Sequence, residues 1–181
     1  MTPLVCGDPA SVSALGADLG RQSQQVQECR AALVRTRSGL AQWRGPTAEA
    51  FGTAMTAQLL LLEHGAEALA EGARALQMYA VDLQHARALA AAAQEFCQLH
   101  GLHVDAGGVV RAPWGAYPLE ESRAYEHHVP QAQRLVDRAV AERDDATRML
   151  RLRVQGPTSV LAGTRQAATR AGVHARSRRG D

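Results

Sequence analysis

The chain contains no lysine, isoleucine or asparagine, and aromatic residues make up only 4% of its 181 positions. The three missing residues are encoded by A/T-rich codons, so their absence points to a high-GC genome. The scarcity of aromatic side chains bears on the fold. Apolar residues reach 46%, but alanine supplies much of that share. The mixture suits closely packed helices better than a β-sandwich, which draws on β-branched and aromatic strands. Long apolar runs are also lacking: none approaches the length of a membrane span, and none follows a basic segment at the N-terminus as a Sec-type signal would. Every basic residue except histidine is arginine, yet the formal charge is only +2. With no basic stripe interleaved with aromatics, nucleic-acid binding has little support. Cysteine occurs three times, at positions 6, 29 and 97, an odd number that excludes a closed disulfide framework.

What is present is helical periodicity. Asp8-Pro9 reads as a helix start, with a capping carboxylate and a proline at the first helical position. Steps of three and four residues then meet Val12, Leu15, Leu19, Gln22, Val26, Cys29, Leu33, Thr36 and Leu40, a coiled-coil-like seam. Gly16 and Gly20, one turn apart, either admit a close backbone approach or merely weaken the helix. A second repeat leaves Pro46 and touches Phe51, Met55, Gln58, Leu62, Gly65, Leu69, Gly72, Leu76, Tyr79, Leu83, Ala86, Ala90, Ala93 and Cys97. Between the two, Gly45 and Pro46 end one helix and open the next, so the expectation is a long antiparallel hairpin over 9–100. Counting outward from Gly45 places Cys29 near Leu61 and Cys6 near Leu83. Cys97 then falls about 20 Å beyond Cys6 at 1.5 Å per residue. All three cysteines are expected to be reduced packing residues.

The second arm outruns the first, so residues from about 84 onward need another partner. Residues 101–129 read as a β-turn or short hairpin and linker, because 102–110 alternates around Gly107-Gly108 and Pro113 and Pro118 follow. A third helix over 130–154 carries Ala132, Leu135, Val136, Ala139, Val140, Ala146, Met149 and Leu150 on one face. Its other face alternates arginine with acidic residues, a solvated surface. Residues 155–181 are expected to form a flexible, Arg-rich tail. The fold class expected is all-α.

Trp43 sits in the turn and is expected to close the hairpin end against both arms. Trp43-Arg44-Gly45 followed by Ala48 and Phe51, set between two seven-residue-repeat helices, resembles the Trp-x-Gly helical-hairpin superfamily of type VII secretion. The segments Leu4–Pro9 and Gly101–Val110 resemble its actinobacterial version, the N-terminal targeting domain of polymorphic toxins. The resemblance covers about residues 4–100. It implies a targeting and partner-binding module, with Trp43, Gly45 and Phe51 at the turn. It also implies small helical Trp-x-Gly-like partners, a secretion ATPase, and export from the cytoplasm by a non-Sec route. A homodimer is a further possibility. The chain stops where a toxin domain would begin. The family's Tyr-x-x-x-Asp/Glu secretion signal has only weak counterparts here: Tyr117 with Glu121, interrupted by Pro118, and Tyr79 with Asp82, one residue too close. In a secreted heterodimer the partner would supply that signal.

Chemistry finds few candidates. His100-x-x-His103 and His127-His128 lack a paired cysteine or carboxylate at zinc spacing and are expected to be exposed loop histidines. No nucleophile elbow, phosphate-binding glycine loop or zinc-protease motif occurs. Asp144 and Asp145 between Arg143 and Arg148 read as helix ion pairs, and Arg179-Gly180-Asp181 as an accidental tripeptide. No cofactor, metal or catalytic residue is expected. The apolar residues off the second seam, Leu59, Leu60, Leu61 and Val81, are different. Four leucines at 59–62 surround the helix, so one seam cannot cover them, and Leu60 is expected to remain bare for a partner. A self-associating structural protein, or an enzyme or toxin seated in 101–181, are the competing readings.

Overall fold

The computed structural model describes residues 4–115 and 117–177, with side chains to Thr169. The fold is all-α: α1 (Pro9–Gly39), α2 (Pro46–Leu99), a two-stranded sheet of β1 (His103–Val104) and β2 (Val110–Arg111), and α3 (Leu119–Ser177). Two compact units form, and each helix contributes to both. One unit joins the N-terminal segment through Val12 to Met78–Leu150. The other joins Ser13–Gln77 to the chain from Arg151 onward.

In the first unit the chain starts as its residues dictate. The Asp8 carboxylate accepts the Ser11 N–H (3.0 Å), the Ala10 N–H (3.3 Å) and the Ser11 hydroxyl. These bonds hold its pKa below the usual carboxylate range. Gly7, at φ +113°, brings the segment against Leu83, close enough that a Cβ would stand 3.1 Å from the leucine Cδ2. The core is built from the second arm's overhang and α3. Val5, Leu83, Ala86, Ala90 and Ala139 form one buried group; Ala93, Cys97, Leu102, Val110, Ala132 and Val136 form another. The apolar face expected on α3 thus packs from Ala132 to Ala146, while Met149 at its far end is exposed.

The short hairpin closes this unit. His103 pairs with Arg111 and Val104 with Val110, antiparallel. The Asp105 carboxylate accepts the N–H groups of Gly107 and Val109, both at 2.9 Å. Gly108 takes φ +81°, a conformation a β-carbon disfavours. Gln133 of α3 docks the turn, accepting from the Val110 N–H (2.8 Å) and donating to the Gly108 carbonyl (3.0 Å).

In the second unit α1 and α2 form the antiparallel hairpin, in the register counted from Gly45. The Ser23 hydroxyl donates to the Ala66 carbonyl (2.7 Å), Arg30 pairs with Glu63 (3.1 Å), and Gln77 Nε2 donates to the Ser13 carbonyl (2.8 Å). The expected seam holds in part, with Gly72 buried beside Leu19, and with Val26, Leu33, Leu62, Leu69 and Leu76 half-buried, but at its alternate positions it shifts by a residue on each arm. Gly16 and Ser23 are buried, while Leu15, Gln22 and Cys29 are exposed. Opposite them Leu59, Ala66 and Ala73 are buried rather than Gln58, Leu62 and Gly65. Small side chains explain the shift: a Cβ on Gly16 would already lie 3.2 Å from the Ala73 carbonyl oxygen. The helices therefore meet along their smallest residues, where backbones approach closest. Gly20 has no atom of another element within 4 Å of that position, so only Gly16 serves a close approach.

Helix α3 corrects the expected boundaries. It begins eleven residues before Pro130 and runs through Gly156-Pro157 to Ser177. A helix-interior proline removes one hydrogen bond and costs about 3 kcal/mol, but the alanine- and arginine-rich flanks favour helix on both sides. Pro157 is buried, and the Thr158 hydroxyl bonds the Val154 carbonyl (2.6 Å). The stretch read as a flexible tail is helical over 155–177. Residues 178–181, with the Arg179-Gly180-Asp181 tripeptide, lie outside the described residues.

Candidate partner-binding surface

The end of the hairpin buries almost nothing. From Arg30 on α1 through Gln58 on α2, no described residue is fully buried. Gly45 takes φ +106° and Pro46 opens α2, with the Glu49 N–H returning to the Gly45 carbonyl (3.1 Å). The turn thus forms as its sequence dictates, but Trp43 does not fill a core. Its ring tilts against Phe51 with centroids 5.5 Å apart and planes at 51°, and 43% of its surface stays exposed. Leu40 and Val34 are exposed beside it.

Of the four leucines, Leu59 is buried and Leu61 and Leu62 are half-buried, while Leu60 is 49% exposed. Leu60 is therefore half exposed, the least covered of the four. Val81 in the first unit is also exposed. Within the second unit, Val160 of α3 and His64, Glu67, Ala68 and Glu71 of α2 line an open groove of about 240 Å³. The face of α2 that carries these residues is thus partly served by α3, beyond the overhang expected for it.

The secretion-signal candidates lie in other surroundings. Tyr79 packs in mid-α2 against the buried group around Leu83, with Asp82 three residues on. Tyr117 precedes α3, its hydroxyl donating to the Pro113 carbonyl and its ring edge-on to Tyr125 at 5.0 Å. Burial, then Tyr125 and Glu121, raise its pKa. Glu121 occupies the first turn of α3 and is exposed. The pair spans the helix boundary and does not share a helix face. Beside it, Ala112, Tyr117, Ser122, Tyr125, Glu126 and Val129 line an open groove of about 400 Å³.

Of the histidines read as exposed loop residues, only His103 and His127 are exposed. His100 and His128 are half-buried and stacked, with His128 inside α3. Spacing alone could not bring together residues 28 positions apart. Among the described residues no group of three or more histidine, cysteine or carboxylate side chains gathers as a metal site. Arg143 pairs with Asp144 and Arg148 with Asp145, both at 2.7 Å, the expected ion pairs. Cys97 is buried, and burial raises its thiol pKa. Cys6 and Cys29 are exposed, not packing residues. None of the three is in a disulfide. Trp114, which sequence reasoning passed over, is 99% exposed in the loop between β2 and α3. Among the described residues no helix is long and apolar enough to cross a membrane.

No protein-family model matches the chain, and no curated protein or solved structure is detectably similar to it.

Proposed function

We propose that the chain is a non-enzymatic targeting and partner-binding module for type VII secretion, of the kind found at the N-termini of polymorphic toxins. Recognition is helix on helix: the bare end of the hairpin receives a small helical partner. The observation that carries this reading is the set of partly exposed apolar side chains Val34, Leu40, Trp43 and Leu60 along a hairpin end with no fully buried described residue. Exposed apolar surface of this kind marks an interaction site. The secretion context is supported by the sequence resemblance at Trp43, Gly45, Ala48 and Phe51. On this reading the complex is assembled in the cytoplasm and delivered to the secretion ATPase, with the Tyr-x-x-x-Asp/Glu signal on the partner.

Co-expression with small helical Trp-x-Gly proteins encoded nearby, followed by size-exclusion chromatography with light scattering, tests the proposal. A one-to-one complex is expected, and Leu60→Glu should abolish it while leaving the circular-dichroism helix signal unchanged. A self-associated chain indifferent to those proteins would favour the structural reading. A stable monomer that binds none of them would remove the mechanism.

A further inference from the structure

Three histidines meet where the end of α2 approaches α3. The rings of His100 and His128 stack with centroids 3.8 Å apart and planes 19° from parallel. Phe96, one turn earlier on α2, tilts against His100 at 4.4 Å and stands edge-on to His128 at 6.0 Å. His127 lies 5.5 Å from His128. The cluster borders the core, because Phe96 packs on the buried group that contains Cys97, Leu102 and Val136.

His128 Nδ1 is buried and has no hydrogen-bond partner. An imidazolium carries a proton on both ring nitrogens. A charged His128 therefore leaves a buried N–H without an acceptor, which is costly. It also places a positive charge one ring stack from His100. The groups acting electrostatically on His128 are His100, the residue after α2, and His127 from its own helix. One turn away on α3 stand Ala124, Tyr125, Gln131 and Ala132, none of them acidic. Burial, then His100 and His127, hold the His128 pKa below the ordinary histidine value.

We propose that the His100–His128 stack is an acid-sensitive clasp, which fastens the end of α2 to α3 while His128 is neutral and releases it when His128 is protonated. The direction follows from linkage. A histidine whose folded pKa lies below its unfolded one contributes fully above the unfolded value, about 6.5. That contribution is lost as the pH falls through the folded pKa. Asp8 and Asp105 are also held below their usual range, so their protonation belongs to more acidic conditions than the clasp.

The full chain tests this in two ways. In the native protein, the His128 ring-proton resonance should titrate with a midpoint below about 6.5; a midpoint at or above that value would overturn the proposal. The urea unfolding midpoint should fall between about pH 7.5 and about pH 5. His128→Phe keeps an aromatic ring in the stack without a titrating group and should lose most of that fall. His127→Gln should retain it. An undiminished fall in His128→Phe would assign the acid sensitivity elsewhere and overturn the clasp. If that variant does not fold, the resonance titration decides alone.

Discussion

At the scale of single residues, exposure separates side chains that hold the fold from side chains that are offered to something else. Trp43 is the sharpest case. A buried aromatic truncated to alanine costs roughly 3–5 kcal/mol, but a ring 43% exposed and resting on one phenylalanine has lost much less water. Trp43→Ala should therefore lower stability by clearly less than that range while weakening partner binding. Parallel denaturation and titration experiments would measure both, and a full core-sized loss would return Trp43 to a structural role. The cysteines divide similarly. Cys6 and Cys29 are exposed, whereas Cys97 is buried with a raised pKa. A thiol reacts as its thiolate, so alkylation of the native chain should modify Cys6 and Cys29 first and Cys97 only on unfolding. Melting with and without reductant should coincide.

At the scale of elements, the hairpin is held by its smallest residues. Ser23 is 3% exposed, and its hydroxyl reaches the Ala66 carbonyl; Leu15 points largely to solvent. Enlarging Ser23 to leucine should cost about 1–3 kcal/mol through overpacking, whereas Leu15→Ala should stay within about 0.5 kcal/mol of the parent. Chemical denaturation of the two variants checks the seam, and the reverse order would restore the leucine-lined one. This contrast also marks how far the sequence can be read. Both ends of α1 and α2, the turn at Gly45, the short hairpin and the packing face of α3 follow from local chemistry: caps, periodicity, and glycine or proline at fixed places. The one-residue shift of the seam does not, because a hydrophobic repeat ranks Leu15 above Gly16 and says nothing about backbone approach. The limits of α3 were equally hidden. Pro130 and Gly156-Pro157 are strong local stop signals, and only packing against other helices overrides them. Of the candidate surface, the half-exposed Leu60 was legible from four crowded leucines, while the exposure of Trp43 and the stacking of His100 on His128 needed tertiary placement.

At the scale of the whole molecule, apolar side chains are distributed unevenly along the helices, and local stability should follow them. In the first unit, Leu83, Ala86, Ala90, Ala93 and Cys97 of α2 and Ala132, Val136 and Ala139 of α3 are all buried. In the second, the arms from Arg30 to Gln58 carry no fully buried residue. An isolated helix shorter than roughly 12–15 residues is marginal in water, and longer ones depend mostly on packing an apolar face. The hairpin end has the helix-forming sequence but lacks that packing. Amides over 83–97 and 132–146 should therefore exchange with solvent only through near-global unfolding, whereas those over 31–57 should exchange through local opening at much lower free energy. Hydrogen exchange followed by mass spectrometry reads the gradient directly. Uniform protection of the free chain would mean that the hairpin end is already covered in solution, for instance by a second copy. Protection that is low in the free chain and rises over 31–60 when a helical partner is added would locate binding on the element left unpacked. A partner that instead protected 96–130 would move the recognition surface to the loop around Trp114 and the tyrosine-lined groove.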